Sequence, residues 1–188
     1  MKQPIIYVLT HDSPYVGEDG PTHQPVEHIE SLRLIPNLRV YRPADAEETA
    51  WSWLETLKRR NGPTALILTR QGLPALAKPK GWDFSKGGYV IREEQKKLGI
   101  VLVASGSEVS LALEAAEEAE KTGVGVRVVS VPCREVFLSQ SVEYQRLVVP
   151  QDVPTLAIEF GVGTGWYGIN PEGRVQVYDL RRFGVSGP

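Results

Sequence analysis

Short apolar runs, separated by longer segments of mixed character, divide the chain into alternating strand and helix candidates. The runs at 4–10 (PIIYVLT), 38–42 (LRVYR), 64–70 (TALILTR), 88–92, 99–104 (GIVLVA), 125–131 (GVRVVSV), 155–160 (TLAIEF) and 174–179 (RVQVYD) have strand length and are rich in β-branched and aromatic residues. Helical periodicity fills the gaps, with a short helix near 26–34 and a strong one after Pro43. In the latter, Asp45 and Glu48 have capping-box spacing, and Ala46, Ala50, Trp53, Leu54 and Leu57 form an apolar stripe expected to face the core. Trp51 and Trp53 read as packing residues of that helix. A third helix, 107–122, carries the stripe Val109, Ala112, Leu113, Ala116 and Ala119, with Ser105 and Glu108 at capping-box spacing, and a fourth helical segment lies near 141–148. Apolar strands linked by helices predict an α/β protein of two three-layer blocks with mostly parallel sheets. Residues 71–86, rich in proline, glycine and lysine without a clear period, read as the linker between the blocks.

Composition narrows the class without naming a function. The chain has 188 residues, 41% hydrophobic and 23% charged, enough for one ordinary domain or two small ones. A formal net charge of −2 gives no reason to expect nucleic acid or an anionic membrane as partner. The single cysteine excludes an internal disulfide framework, and no apolar run approaches the roughly 20 residues of a membrane span. The apolar core of MKQPIIYVLT is too short for a signal peptide, so a cytoplasmic location is expected.

The chemistry is concentrated between Thr10 and His28. THDSPYVGEDGPTHQPVE holds two of the three histidines, several carboxylates and two glycines, and His28 follows directly. His11 and Asp12 stand where a strand ends, and in open parallel sheets the carboxyl ends of strands are where ligands bind. Imidazole and carboxylate together suit a small polyhydroxylated or phosphorylated substrate, because both donate, accept and move protons near neutral pH. An exposed polar loop whose histidines cap helices or meet solvent is the alternative. A zinc site does not fit: His23 and His28 are five apart and Cys133 is distant. Arg70 ends its own strand and can converge with His11. The turn SGSE at 105–108 reads as a helix cap or, less well, an anion site, and GVGTG at 161–165 reads as a turn without dinucleotide spacing.

The strings GEDGPTHQPVEHIESLRLIPN, YRPADAEET and GPTALILTRQ, followed by GGYVI, VLVASGSEVSLAL, VRVVSVP, a strand ending in Glu159 and the closing DLRRFGVSGP, closely resemble the transketolase family. The resemblance implies that residues 1–75 are the later half of a thiamine-diphosphate enzyme's pyrimidine-binding domain, 76–86 a linker, and 87–188 a transketolase C-terminal domain without its final helix. It implies transfer of a two-carbon ketol unit between sugar phosphates, as in the pentose phosphate pathway. Residue by residue, it implies that His11 and Arg70 contact the sugar phosphate, that Asp19 meets a substrate hydroxyl and that His23 assists proton transfer. Ser13 and His28 acquire no role from it. The GDG motif with its downstream Asn, and the glutamate that activates the cofactor, have no counterpart here. The complete enzyme is thus expected to use thiamine diphosphate and Mg2+, while this chain alone is expected to bind neither and to be inactive. Expected partners are a sugar phosphate and either a second copy in a homodimer or a complementary N-terminal transketolase region. A non-catalytic domain acting in binding or subunit association is the alternative.

Overall fold

The computed structural model describes residues 2–186. Met1, Gly187 and Pro188, which belong to segments carrying the family resemblance, lie outside the described residues. The first block contains β1 (Ile6–Thr10), α1 (His28–Arg33), β2 (Arg39–Tyr41), α2 (Ala46–Lys58) and β3 (Thr64–Leu68). Its three strands are parallel, in the order β1-β3-β2, with Thr10 opposite Leu68. The second block contains β4 (Tyr89–Arg92), β5 (Leu98–Ala104), α3 (Glu108–Lys121), β6 (Gly125–Ser130), α4 (Arg134–Leu138), α5 (Val142–Val148), β7 (Thr155–Glu159) and β8 (Val175–Asp179). Its strands run in the order β4-β6-β5-β7-β8, all parallel except β4, which is antiparallel to β6.

Alternation along the parallel strands produces the layers. Leu102, Ala104, Val126 and Val128 face α3 and its buried Val109, Ala112 and Ala116, while Val101, Val103, Val129 and Ala157 face Phe137, Val148 and Trp166. In the first block, Val40, Ala65 and Ile67 meet Ile29 of α1, whereas Tyr41 and Leu66 point toward Phe84 of the linker and Cys133 and Val136 of the other block. Coverage fails at β1, where Tyr7, Val8 and Leu9 are each more than two-fifths exposed. Beside β1 an apolar groove of about 300 Å³ is lined by Tyr7, Leu9, Leu32, Ile35, Leu38 and Ala65. The linker segment is laid down in order, with Trp82 against Trp51 and Tyr89, and Lys78 paired to Asp45 at 2.5 Å.

The helix after Pro43 departs from its expected orientation. Its start is as read: Asp45 accepts from the Glu48 amide at 2.9 Å, and Glu48 reaches back to the Ala44 amide at 2.7 Å. Its apolar stripe is not buried, with Trp53 37%, Leu54 40% and Leu57 55% exposed; Glu48, Ser52 and Thr56 point inward instead. The inward face is polar because it meets hydroxyl groups of the second block. Glu48 accepts from Tyr89 Oη at 2.8 Å and Ser130 Oγ at 2.6 Å, and the charge of Lys78 acts on it from beyond hydrogen-bond distance. Burial raises the Glu48 carboxyl above its ordinary value despite those hydrogen bonds from Ser130, Ala44 and Tyr89.

A folded-state value above the unfolded one means that the stabilising contribution is complete below the unfolded carboxylate range and is lost as pH rises through the folded value. Glu48→Gln can keep all three bonds, its carbonyl accepting from Ala44 and its amide donating to the two hydroxyls. The midpoint of urea unfolding should therefore move up in the variant relative to the wild type, and by more at pH 8 than at pH 5. A constant difference across that range would contradict an uncharged preference at this position. Glu48→Ala, which leaves the donors unpaired, should instead cost about 3 kcal/mol.

Candidate functional site

The loop that leaves β1 turns abruptly at His11, whose φ of +64° lies in the left-handed region that few non-glycine residues adopt. Asp12 and Ser13 are buried behind it. A 3-10 turn over Pro14–Val16 follows, with Ser13 Oγ accepting from the Tyr15 amide at 3.2 Å. The loop is pinned at Val16, whose carbonyl accepts from Arg70 Nη1 at 3.1 Å and Gln71 Nε2 at 2.7 Å. Gln24 Nε2 donates to the Gly17 carbonyl and closes the loop on itself.

The parallel register sends His11 and Arg70 out of adjacent strands at the same end of the sheet. Arg70 is half exposed and lies 3.4 Å from Asp19. The side-chain bonds of His11 and His23 run from each Nδ1 to the preceding threonine hydroxyl, both at 2.9 Å, so that among the described residues neither Nε2 is bonded. His28 opens α1 on the surface, 3.6 Å from Glu27. The expected site residues thus divide: Arg70 and Asp19 meet, His11 shares their end of the sheet, and His23 stands exposed on the same loop.

Behind the loop lies a buried ionic network between the two blocks. Arg42, following β2, gives two hydrogen bonds to Asp12 Oδ2, at 2.9 Å from Nε and 2.7 Å from Nη2. It also meets Glu108 at 2.8 and 2.7 Å and Glu159 at 2.9 Å. Glu159 accepts in addition from Arg33 and Trp166 Nε1, each at 2.8 Å. A second pair, Arg134 with Glu30 at 2.9 Å, packs over Trp166 and against Gly165, where a Cβ would meet both partners.

Burial, only partly offset by Arg42 and reinforced by the neighbouring Glu159, pushes the Glu108 carboxyl up. Burial acts the same way on Glu159, but Arg42 and Arg33 outweigh it and hold that carboxyl below its ordinary value. Ser105 and Glu108 therefore do not cap α3, which lacks a side-chain cap; they face the arginines of the first block. The glycine run 161–165 likewise lets the blocks approach, with the Val162 amide donating to the Val26 carbonyl at 2.8 Å. Two members of this network left a mark in the sequence, though their partners did not: Arg42 and Glu159 each sit at the end of an apolar run, where a charge needs a partner.

The residues present do not fit a metal-bound diphosphate. Among the described residues no group of three or more His, Cys, Asp or Glu side chains could hold a metal ion. The carboxylates closest behind the loop, Asp12, Glu108 and Glu159, are already paired with arginine.

Parallel strands that end in a histidine- and carboxylate-bearing loop, facing an arginine, define an α/β protein with a polar site at the strand ends. Residues 1–75 match the family described as transketolase, pyrimidine binding domain, and residues 87–188 the transketolase-like TK C-terminal domain. The chain belongs to the transketolase family. It is 48% identical to transketolase 2 of Xanthobacter flavus, covering 100% of this chain and 28% of that protein. It superposes with a TM-score of 0.89 on a transketolase from Pichia stipitis in complex with sedoheptulose-7-phosphate, at 43% identity over 98% of this chain and 26% of that one. A structure described as a split gene transketolase, inactive beta4 tetramer, is similar with a TM-score of 0.68 at 26% identity, covering 94% of this chain and 57% of that chain. The chain spans little more than a quarter of the length of the curated relatives it matches. Among the described residues no helix is long and apolar enough to cross a membrane.

Proposed function

We propose that this chain supplies the sugar-phosphate half of a transketolase active site, used in the transfer of a two-carbon ketol unit between sugar phosphates. The observation that carries the reading is Arg70, half exposed at the end of β3 and turned onto the loop that begins at His11. A guanidinium beside an imidazole suits a phosphate, by directed charge-assisted hydrogen bonds. In this reading Arg70 and His11 hold the phosphate, Asp19 takes a substrate hydroxyl and His23 moves a proton at the transferred unit. Residues 1–75 act as part of a pyrimidine-binding domain, 76–86 as a linker and 87–188 as the C-terminal domain. Thiamine diphosphate and Mg2+ are held by other parts of the enzyme, so the chain alone is inactive.

The uncovered β1 favours completion by another polypeptide. Its open edge and the groove beside it can accept a complementary N-terminal transketolase region or a second copy in a homodimer. The likeness to a split-gene transketolase that is inactive as a tetramer of one subunit supports a chain that needs such a partner. A non-catalytic role in association is the competing reading, favoured by the same exposed face.

Calorimetric titration separates the two. The chain should bind a ketose phosphate, lose most of that affinity for the unphosphorylated ketose, and give no saturable heat with thiamine diphosphate and magnesium. Arg70→Ala should weaken binding of the phosphorylated sugar by about tenfold or more, the scale of a lost hydrogen bond to a charged group. Equal affinity for sugars with and without phosphate would remove the phosphate role and leave Arg70 as the residue that pins Asp19 and Val16.

A further inference from the structure

In open α/β sheets the ligand crevice lies where the chain reverses its direction of winding, outside the carboxyl ends of two neighbouring parallel strands. In the second block that point falls between β5 and β7. The chain passes from β5 through α3 to β6 on one side, then crosses to β7 on the other. The crevice between Ala104 and Glu159 is filled by the side chain of Arg42 from the first block. Its guanidinium donates to the Ser105 carbonyl at 3.0 Å, to Glu108 at 2.8 Å and to Glu159 at 2.9 Å. Gly106, with φ of +61°, makes room for it, since a Cβ there would lie 2.7 Å from Arg42 Nε. Backbone bonds seat the same residue, from the Arg42 amide to the Pro132 carbonyl at 2.8 Å and from the Gly106 amide to the Arg42 carbonyl at 3.0 Å.

The second block therefore treats Arg42 as a ligand, and the bound guanidinium still has donors to spare. They go to Asp12, which is the neighbour of His11 and the first buried residue of the loop. An arginine that only joined two blocks would need the acidic pair Glu108 and Glu159 and nothing beyond. We propose that Arg42 is a positioning residue through which the C-terminal block, by Glu108 and Glu159, orders the loop 11–23 by way of Asp12. The arrangement matters here because a guanidinium held by Asp12 Oδ2 on one side and by Glu108 and Glu159 on the other has little freedom to turn. The C-terminal block thereby acquires a task at the site, although none of the proposed sugar contacts belongs to it. This rests on residues 11–23 being the substrate loop, but its first readout needs no substrate.

Hydrogen exchange on the full chain without ligand provides that readout, at the amides of Tyr15, Val16 and Gly17, which are bonded within the loop at 3.2, 3.1 and 3.1 Å. Asp12→Asn keeps the side-chain volume and should speed their exchange by about 10- to 100-fold, while the amides of β5 and β7 stay protected. Glu108→Gln, on the far side of Arg42 and touching no residue of the loop, should speed the same three amides by several fold. In Arg42→Ala, millimolar guanidinium should restore their protection, whereas sodium at equal concentration should not. Should that variant fail to fold, the two conservative variants carry the test. Unchanged loop exchange in Glu108→Gln would overturn the proposal, since Asp12 would then be holding the loop without help from Glu108 through Arg42. Failure of the wild-type chain to bind a sugar phosphate would instead overturn the proposed function and leave the exchange result intact.

Discussion

Arg42→Ala should lower the free energy of unfolding by about 3–5 kcal/mol, the scale for removing one partner from a buried ion pair. That is a large part of the roughly 5–15 kcal/mol that holds an ordinary domain together. The size follows from what stays behind. Asp12, Glu108 and Glu159 are each at most 1% exposed at their side chains, and without the guanidinium three carboxylates would face one another with only Arg33 to offset them. Arg42 is so well matched that its own proton is held more tightly than usual: the cost of burial is outweighed by Glu108, Asp12 and Glu159. An internal control is available in Arg146, which pairs with Glu172 at 2.7 Å while both are about half exposed. Arg146→Ala should change stability by no more than about 1 kcal/mol. Urea unfolding followed by circular dichroism measures both, and comparable small losses for the two arginines would show that the buried network contributes little.

His23→Ala in the complete enzyme should lower kcat by about 10²-fold, the lower end of what a positioned acid–base group contributes. Thr22 Oγ1 holds Nδ1 at 2.9 Å and so sets which ring nitrogen is presented to the solvent side of the loop. KM should move little, because the side chain stands clear of the Arg70–Asp19 pair proposed to grip the substrate. Thr22→Val offers a graded companion: it keeps the imidazole, loses its orientation, and should reduce kcat by a smaller factor. Steady-state kinetics on the enzyme completed as proposed reads all of these, and a kcat unaffected by His23→Ala would exclude proton transfer by this residue.

Strand positions were legible because alternating burial in a parallel sheet writes itself into short apolar runs, and all eight appear within about two residues of where the pattern put them. The loop stood out because it gathers so many ionisable groups in so few residues, yet nothing local showed that one of them, Asp12, is taken up by the buried network. The inward face of α2 was not, since a local pattern assumes that apolar residues seek the core, and here the core presents Ser130 and Tyr89, more than thirty positions away. The same limit hid the Arg42 network and the short helix Arg134–Leu138. Ser105 and Glu108 have the spacing of a cap, and only the arrival of Arg33 and Arg42 from another part of the chain redirects them. Contacts made between distant segments leave no period to read.

The polar face of α2 also bears on how the chain folds. Glu48, Arg42, Arg33 and Glu30 all satisfy themselves on groups of the other block, while β1 has neither a second neighbour nor full cover. The stretch 1–75 therefore has little that would hold it together alone, and its buried Arg33 and Glu30 would lose their counter-ions if the blocks parted, leaving Arg42 with Asp12 alone. The two family domains are in this respect a single cooperative unit. In denaturant they should unfold together in one transition.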